Sequence, residues 1–225
     1  MKFNYKYSYY IALVSVVLSF SAIYYFAYLH TVPLVETFSS DSFIILMGDS
    51  ILNNNNYVSI GQSVGDLLQE SQGNVITVAE DEARIHNLER QFKNIPNNAN
   101  KKSTRIILSA GGNDLLNHYQ KDNINNIAHV DTIFNKYTSM VNNMRNNCEC
   151  EFILCNIYYP RSYNYVRYYD IIQIWNKKIA AYAKQNGLKV LELDSKINNG
   201  KHFTHDIEPS HSGGKIITKN ILNFV

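Results

Sequence analysis

The stretch FIILMGDS, residues 43–50, contains the pattern from which the fold class can be read. Its first five residues form a short apolar run that ends at Gly48, and such a run indicates a strand buried on both faces. Similar runs follow at 75–78, 106–108, 152–154 and 190–193. Apolar residues at helix-like spacing lie between and after them, at 58–68, 83–92, 130–144, 168–184 and 214–222. This alternation predicts an α/β fold with a five-stranded parallel sheet sandwiched by helices.

Polar residues follow the first, third and last of these strands. Asp49 and Ser50 come directly after the first strand, and Gly-Gly-Asn-Asp at 111–114 follows the third. A loop that contains His-Asp-Ile-Glu-Pro-Ser-His, residues 205–211, follows the last. Because ligands of parallel sheets bind at the carboxyl ends of the strands, we expect these groups to share one site.

These three groups resemble blocks I, III and V of the SGNH hydrolase family, also called GDSL-type esterases and lipases. The resemblance runs from Phe43 to Val225, in the right order and at plausible spacing. It implies a flavodoxin-like sheet and an enzyme that hydrolyses carboxylic esters or transfers their acyl groups. It implies no cofactor.

The resemblance also implies a role for each motif residue. Ser50 would be the nucleophile, which needs a positioned base to remove its proton. Its own N–H, a block II N–H and the Asn113 amide would form the oxyanion hole, because a tetrahedral oxyanion needs fixed donors. The remaining motif residues would support these loops, namely Gly48, Asp49, Gly111, Gly112 and Asp114.

The block II position departs from the family pattern. The second strand leads to Glu80, Asp81 and Glu82, and spacing aligns Glu82 with the usual glycine. The Glu82 N–H could still donate, although a side chain would be strained in a turn made for glycine. Acidic residues at the start of a helix also need no catalytic role, since they complement its dipole.

Block V departs further from the family pattern, because the acidic residue and the histidine have exchanged positions. Glu208 stands where the family has its catalytic histidine, and His205 stands where it has the supporting aspartate. One interpretation makes His205 the base, oriented by Glu208 or Asp206, since triad roles follow geometry. Alternatively His211 reaches the serine, or Glu208 takes the proton with a raised pKa. In a fourth interpretation, catalysis is lost and the domain binds glycan or lipid without turnover.

The N-terminal segment predicts a membrane anchor. No Lys, Arg, Asp or Glu occurs from Tyr7 to Val35, and Ile11 to Leu29 is almost wholly apolar or aromatic. About 20 such residues span a bilayer as a helix. Lys2 and Lys6 precede this stretch, so we expect a single-pass protein with a cytoplasmic N-terminus and the hydrolase domain outside. The domains would be 1–30 (anchor), 31–42 (linker) and 43–225 (hydrolase); a cleaved signal peptide and secretion are the alternative.

Composition excludes some partners. The net charge is +2 and no basic stripe with interleaved aromatics occurs, which argues against a nucleic-acid partner. No metal-binding spacing of histidines occurs, and we expect His86, His118 and His202 to be ordinary polar residues. Cys148, Cys150 and Cys155 are expected to be unpaired structural cysteines, because a Cys-x-Cys pair is too close for an unstrained disulfide. We expect a monomer.

The segment 158–169 is rich in tyrosine and follows the fourth strand. Tyrosine presents an apolar face and a polar tip, which suits an acyl chain or a sugar ring. The same stretch is equally consistent with a surface loop made tyrosine-rich by an AT-rich coding sequence. The expected substrate is a small-molecule, glycan or lipid ester.

Overall fold

Five parallel strands form the central sheet of this computed structural model, which describes residues 42–117 and 123–224. The strands are β1 (Ile44–Gly48), β2 (Val75–Thr77), β3 (Arg105–Ser109), β4 (Glu151–Cys155) and β5 (Lys189–Leu191). Their order in the sheet is β2-β1-β3-β4-β5, and each neighbouring pair is parallel. This order is the flavodoxin-like one, so the predicted α/β fold is confirmed.

Helices connect the strands and cover both faces of the sheet. They are α1 (Val64–Gln72), α2 (Leu88–Lys93), α3 (Gly112–Asn117), α4 (Asn123–Asn146), α5 (Tyr169–Asn186), α6 (Leu193–Lys196) and α7 (His211–Leu222). Short 3₁₀ turns occur at Asn55–Tyr57, Ile85–Asn87, Asn97–Ala99, Tyr163–Tyr168 and Gly200–His202.

The alternating side chains of β1 explain why its sequence is continuously apolar. Ile45 and Met47 pack into the core on one face of the sheet, whereas Ile44 and Leu46 pack into the core on the other. All five residues of the strand are buried. The apolar run therefore indicated a strand with helices on both sides, as the sequence predicted.

The first helix begins later than its apolar spacing predicted. Residues 58–62 are not helical, and α1 begins only after Ser63. The Ser63 hydroxyl accepts a hydrogen bond from the Asp66 N–H, while the Asp66 carboxylate accepts one from the Ser63 N–H. This reciprocal capping box fixes the start of the helix more strongly than the preceding apolar residues do.

A small antiparallel hairpin near the C-terminus was not predicted. It consists of β6 (Phe203–Thr204) and β7 (Glu208–Pro209), with Thr204 opposite Glu208. Strands of two residues carry no readable periodicity, so only their hydrogen bonds reveal them. This hairpin contains the exchanged block V residues.

The cysteine prediction was wrong for one pair. Cys148 and Cys150 form a disulfide, and Cys155 is free and buried. The turn before β4 brings the two Cα atoms to 5.3 Å, which is within the range that a disulfide spans.

The predicted N-terminal anchor, the predicted linker except its last residue, Ser42, and His118 lie outside the described residues. Within 42–117 and 123–224, no helix is long and apolar enough to cross a bilayer.

Candidate active site

The carboxyl end of β1 lies unusually close to that of β3. A Cβ atom added to Gly48 would lie 1.6 Å from the Ser109 carbonyl oxygen, and the φ of Gly48 is +121°. Only glycine fits this contact and this backbone conformation. The buried Gln91 of α2 holds the same residue, since its Oε1 accepts from the Gly48 N–H and its Nε2 donates to the Gly48 carbonyl, both at 2.8 Å.

Asp49 holds the turn that presents Ser50. Its Oδ1 accepts hydrogen bonds from the Ser109 hydroxyl at 2.8 Å and from the Ile51 N–H at 3.2 Å. Burial raises the pKa of Asp49 to about 7, although these two hydrogen bonds act in the opposite direction. The side chain thus links the loops after β1 and β3, as a structural role for it would require.

Asn113 and Asp114 lie in the first turn of α3, and they link the start of this helix to the loop after β2. Asn113 Nδ2 donates to the Ala83 carbonyl at 3.0 Å. The Ile85 N–H donates to the Asp114 carboxylate at 3.1 Å, and burial is the main reason that the pKa of Asp114 is raised. The loop that contains the block II position is therefore fixed beside Asn113.

Gly111 and Glu82 both have left-handed backbone conformations. Gly111 has φ +105°, and a Cβ there would lie 2.2 Å from the Trp175 ring, so this position requires glycine. Glu82 has φ +56° although it carries a side chain, and that side chain is exposed. The strain expected at a turn made for glycine is thus present, in a conformation that glycine adopts more readily.

The β6–β7 hairpin separates His205 and Asp206 from Glu208. His205 (φ +46°) and Asp206 (φ +70°) form its exposed tip. The His205 ring centroid lies 5.4 Å from that of Tyr57, and its Nδ1 lies 3.1 Å from the Thr204 hydroxyl. Glu208 lies in the paired strand instead and is only 8% exposed.

Glu208 is the block V residue that faces Ser50. Both residues line one cavity, and the Ser50 side chain is close enough to lower the pKa of the Glu208 carboxyl. Burial outweighs this effect, with smaller contributions from Asp81 and Glu82, and raises the pKa of Glu208 to about 7. Among the described residues, none makes a hydrogen bond to the buried Oε2 of Glu208.

Two buried side chains hold the backbone on either side of Glu208. The Tyr158 hydroxyl donates to the Ile207 carbonyl at 2.7 Å. Asn54 Nδ2 donates to the Pro209 carbonyl at 2.9 Å, while Asn54 Oδ1 accepts from the Val64 N–H at 2.9 Å. No sequence pattern indicated this role for Asn54, which lies within a run of four asparagines at 53–56.

The cavity beside Ser50 is small and mainly apolar. Its volume is about 50 Å³, and it is lined by Asp49, Ser50, Ile51, Gly112, Asn113, Leu115, Leu116, Ile157, Tyr158, Pro160, Tyr165, Tyr168, Ile172, Ile207 and Glu208. Neither His205 nor His211 is among these residues; His211 is the first residue of α7. A more open groove of about 680 Å³ lies between Arg84 and α4, and neither Ser50 nor Glu208 lines it.

No metal site accompanies this arrangement within 42–117 and 123–224. No group of three or more His, Cys, Asp or Glu side chains in these ranges could hold a metal ion.

The fold and the site together indicate the class of protein to which this chain belongs. The chain is a flavodoxin-like α/β protein with a serine after β1 and an asparagine after β3, where the strand order reverses. Residues 46–215 match the GDSL-like lipase/acylhydrolase family, so the chain belongs to that family. This membership supports ester hydrolysis in general.

Known structures share the fold. A lipolytic protein of the G-D-S-L family from Veillonella parvula superposes with TM-score 0.65 at 16% identity, over 81% of this chain and 97% of that one. A GDSL-like lipase from Bacteroides thetaiotaomicron gives 0.61 at 18% identity, over 82% and 87%. Phospholipase A1 from Streptomyces albidoflavus gives 0.58 at 13% identity, over 81% and 98%. A search of curated proteins finds no match.

The raised pKa of Asp49 predicts that the folded protein loses stability as the pH rises from 5 to 8. The unfolded chain releases this proton near the ordinary pKa of 3.8, whereas the folded chain holds it up to about 7. The stability that protonated Asp49 adds is therefore fully present below the pKa of Asp49 in the unfolded chain. It is lost as the pH rises through the pKa of Asp49 in the folded chain. Replacing Asp49 by Asn should reduce the difference in unfolding free energy between pH 5 and pH 8 by about 2 kcal/mol.

Urea unfolding at both pH values measures this difference. Asp170→Asn, at an exposed position in the first turn of α5, is the matched control and should behave like the wild type. An unchanged pH dependence in Asp49→Asn would show that Asp49 does not retain its proton in the folded state.

Proposed function

We propose that the protein hydrolyses carboxylic esters with Ser50 as nucleophile, Glu208 as general base and Asn113 in the oxyanion hole. The observation that carries this proposal is a buried carboxyl beside the serine, with its pKa raised to about 7. Family membership supports the reaction class, and the hairpin geometry supports the choice of base.

A carboxylate in this environment is chemically suited to the task. An ordinary glutamate, with a pKa of 4.5, binds a proton too weakly to be an efficient base at neutral pH. Burial and the negative charges of Asp81 and Glu82 raise the pKa of Glu208 close to the pH at which it would act. At pH 7, Glu208 is then ionised in about half of the molecules. In those molecules the carboxylate binds a proton strongly enough to act as a base.

In the proposed cycle, every proton passes through Glu208. The Ser50 oxygen attacks the ester carbonyl carbon while Glu208 takes the hydroxyl proton. The tetrahedral intermediate then collapses, the carbon–oxygen bond to the alcohol breaks, and Glu208 gives its proton to the leaving oxygen. Water attacks the acyl-serine with Glu208 again as base, which releases the carboxylic acid and restores Ser50.

The proposed oxyanion hole uses donors of the loops described above. Asn113 has two amide hydrogens. One is donated to the Ala83 carbonyl, and the other can be donated to the substrate oxygen. The Ser50 N–H donates to no backbone carbonyl among the described residues. The Glu82 N–H is the third proposed donor, on a loop that the Asn113–Ala83 bond holds in place.

His205 stays a sequence-based prediction for the base, but the geometry favours Glu208. His205 is at the exposed hairpin tip, among Tyr57 and Thr204, and does not line the cavity that contains Ser50. The non-hydrolytic alternative, a domain that binds glycan or lipid, rests on the loss of the usual histidine. It predicts no turnover by the wild type.

Replacing Ser50 by Ala should abolish ester hydrolysis, because the attacking oxygen is removed. We expect a loss of at least about 10³-fold in kcat for p-nitrophenyl acetate, together with loss of labelling by a fluorophosphonate probe. Ser71→Ala, on the exposed face of α1, is the matched control and should retain both. Equal labelling of the wild type and Ser50→Ala would remove Ser50 from the mechanism.

Two substitutions of Glu208 should separate its roles. Glu208→Gln keeps the shape but cannot take a proton, so we expect kcat to fall roughly 10²- to 10⁴-fold. Glu208→His restores a base with an ordinary pKa of about 6.5 and should retain at least a tenth of the activity. The initial rates of ester hydrolysis measure both.

The controls for Glu208 lie on the same hairpin and on α1. His205→Asn tolerates the left-handed backbone and should retain activity within about threefold. Glu70→Gln, at an exposed position, should do the same. Loss of activity in His205→Asn with activity retained in Glu208→Gln would assign the base to His205. An inactive wild type with an active Glu208→His variant would support the binding domain.

We further propose that this activity operates outside the cell, on a domain tethered by the N-terminal segment. The proposal rests on the apolar stretch at 11–29 and on Lys2 and Lys6 before it.

A further inference from the structure

We propose that the site accepts esters of short acyl groups, such as acetyl, and excludes long acyl chains. This inference rests on the proposed ester hydrolysis by Ser50, and it concerns the part of the substrate that becomes attached to the serine. The cavity next to Ser50 determines how large that part can be.

The cavity volume sets the limit. The cavity is narrow, because only about 50 Å³ of it is open to a water-sized sphere and one water molecule already needs roughly 10–15 Å³. An acetyl group with its ester oxygen has only four non-hydrogen atoms, a size that suits this space. An octanoyl chain is six carbons longer and would have to extend past the mouth of the cavity, which is partly open.

Part of the cavity wall is formed by buried apolar side chains. Leu115, Ile157, Tyr168 and Ile172 are each at most 7% exposed. A methyl group placed against them replaces water at an apolar surface, which is favourable. A charged acyl group would lose its hydration there without a partner, so the wall also selects against it.

The wall is also held in place, so that a longer chain cannot simply push it aside. The Asn176 side chain accepts from the Ile157 N–H at 2.9 Å and donates to the Ile157 carbonyl at 2.7 Å. Ile172 belongs to the buried face of α5, where it packs in the main core. Displacing either residue would disturb close-packed neighbours.

The tyrosine-rich segment contributes to this cavity. Tyr158, Tyr165 and Tyr168 all line it, and the rings of Tyr165 and Tyr168 lie 5.9 Å apart. These side chains add aromatic surface to the lining of the cavity.

A series of p-nitrophenyl esters tests the inference. We expect kcat/KM for the acetate to exceed that for the octanoate at least about 100-fold, with the butyrate between them. The Ser50→Ala variant supplies the background rate for each ester. A wild type that cleaves the octanoate as well as the acetate would overturn the size limit.

Ile172→Ala should shift this preference, because it removes part of the apolar wall and enlarges the cavity. The ratio of kcat/KM for butyrate to that for acetate should rise about tenfold relative to the wild type. Ile174→Ala, on the same helix but not lining the cavity, is the matched control and should leave the ratio unchanged. If Ile172→Ala does not fold by circular dichroism, Ile172→Val replaces it, and an unchanged ratio in a folded variant contradicts the inference.

The same three esters also test the proposed hydrolysis, independently of the size limit. If none of the three esters is cleaved in a Ser50-dependent manner, hydrolysis itself is contradicted. The size limit is then tested by the binding of ethylboronic and octylboronic acids to the wild type. Tighter binding of the octyl compound overturns it, and tighter binding of the ethyl compound supports it.

Discussion

The close contact between Gly48 and the Ser109 carbonyl is the constraint on which the site depends. With no side chain on Gly48, the ends of β1 and β3 meet at a distance that a Cβ atom would not allow. Gln91 fixes the Gly48 peptide from one side, and Asp49 bonds across to the Ser109 hydroxyl from the other. Ser50 therefore projects from a turn whose neighbours on both strands are fixed before any substrate binds.

The second half of the site is fixed in the same way. Glu208 lies between two carbonyl groups, one bound by Tyr158 and the other by Asn54. Both side chains come from loops at the carboxyl edge of the sheet, so the hairpin is held against the loops that carry Ser50. A base that must keep hydrogen-bond distance to a serine gains from such preorganisation, because little reorganisation remains for the reaction.

The sequence predicted the sheet and the neighbouring positions of Ser50 and Asn113 well. Buried strands of a parallel sheet are continuously apolar, and the residues after them must meet at one edge. It could not predict that His205 would turn outwards, because two left-handed residues at the hairpin tip decide that. His205 and Glu208 are only three residues apart, and this separation does not indicate which of them faces Ser50.

The positioning roles of Asn54 and Gln91 could not be predicted from the sequence either. Asn54 acts on Pro209 across 155 positions, and Gln91 acts on Gly48 across 43. Neither contact follows a helical or strand period, and both residue types are ordinary in surface segments. Their roles follow from burial, since a buried amide must find partners for its donors and acceptor.

If Glu208 takes the proton of Ser50, the rate at which a fluorophosphonate labels Ser50 should depend on the ionisation of Glu208. This second-order rate measures attack by the serine alone, without later steps. A role of Glu208 as the base predicts that this rate rises about tenfold per pH unit in the wild type, levels off near pH 7, and loses this dependence in Glu208→Gln. A rate with the same pH dependence in both proteins would contradict it.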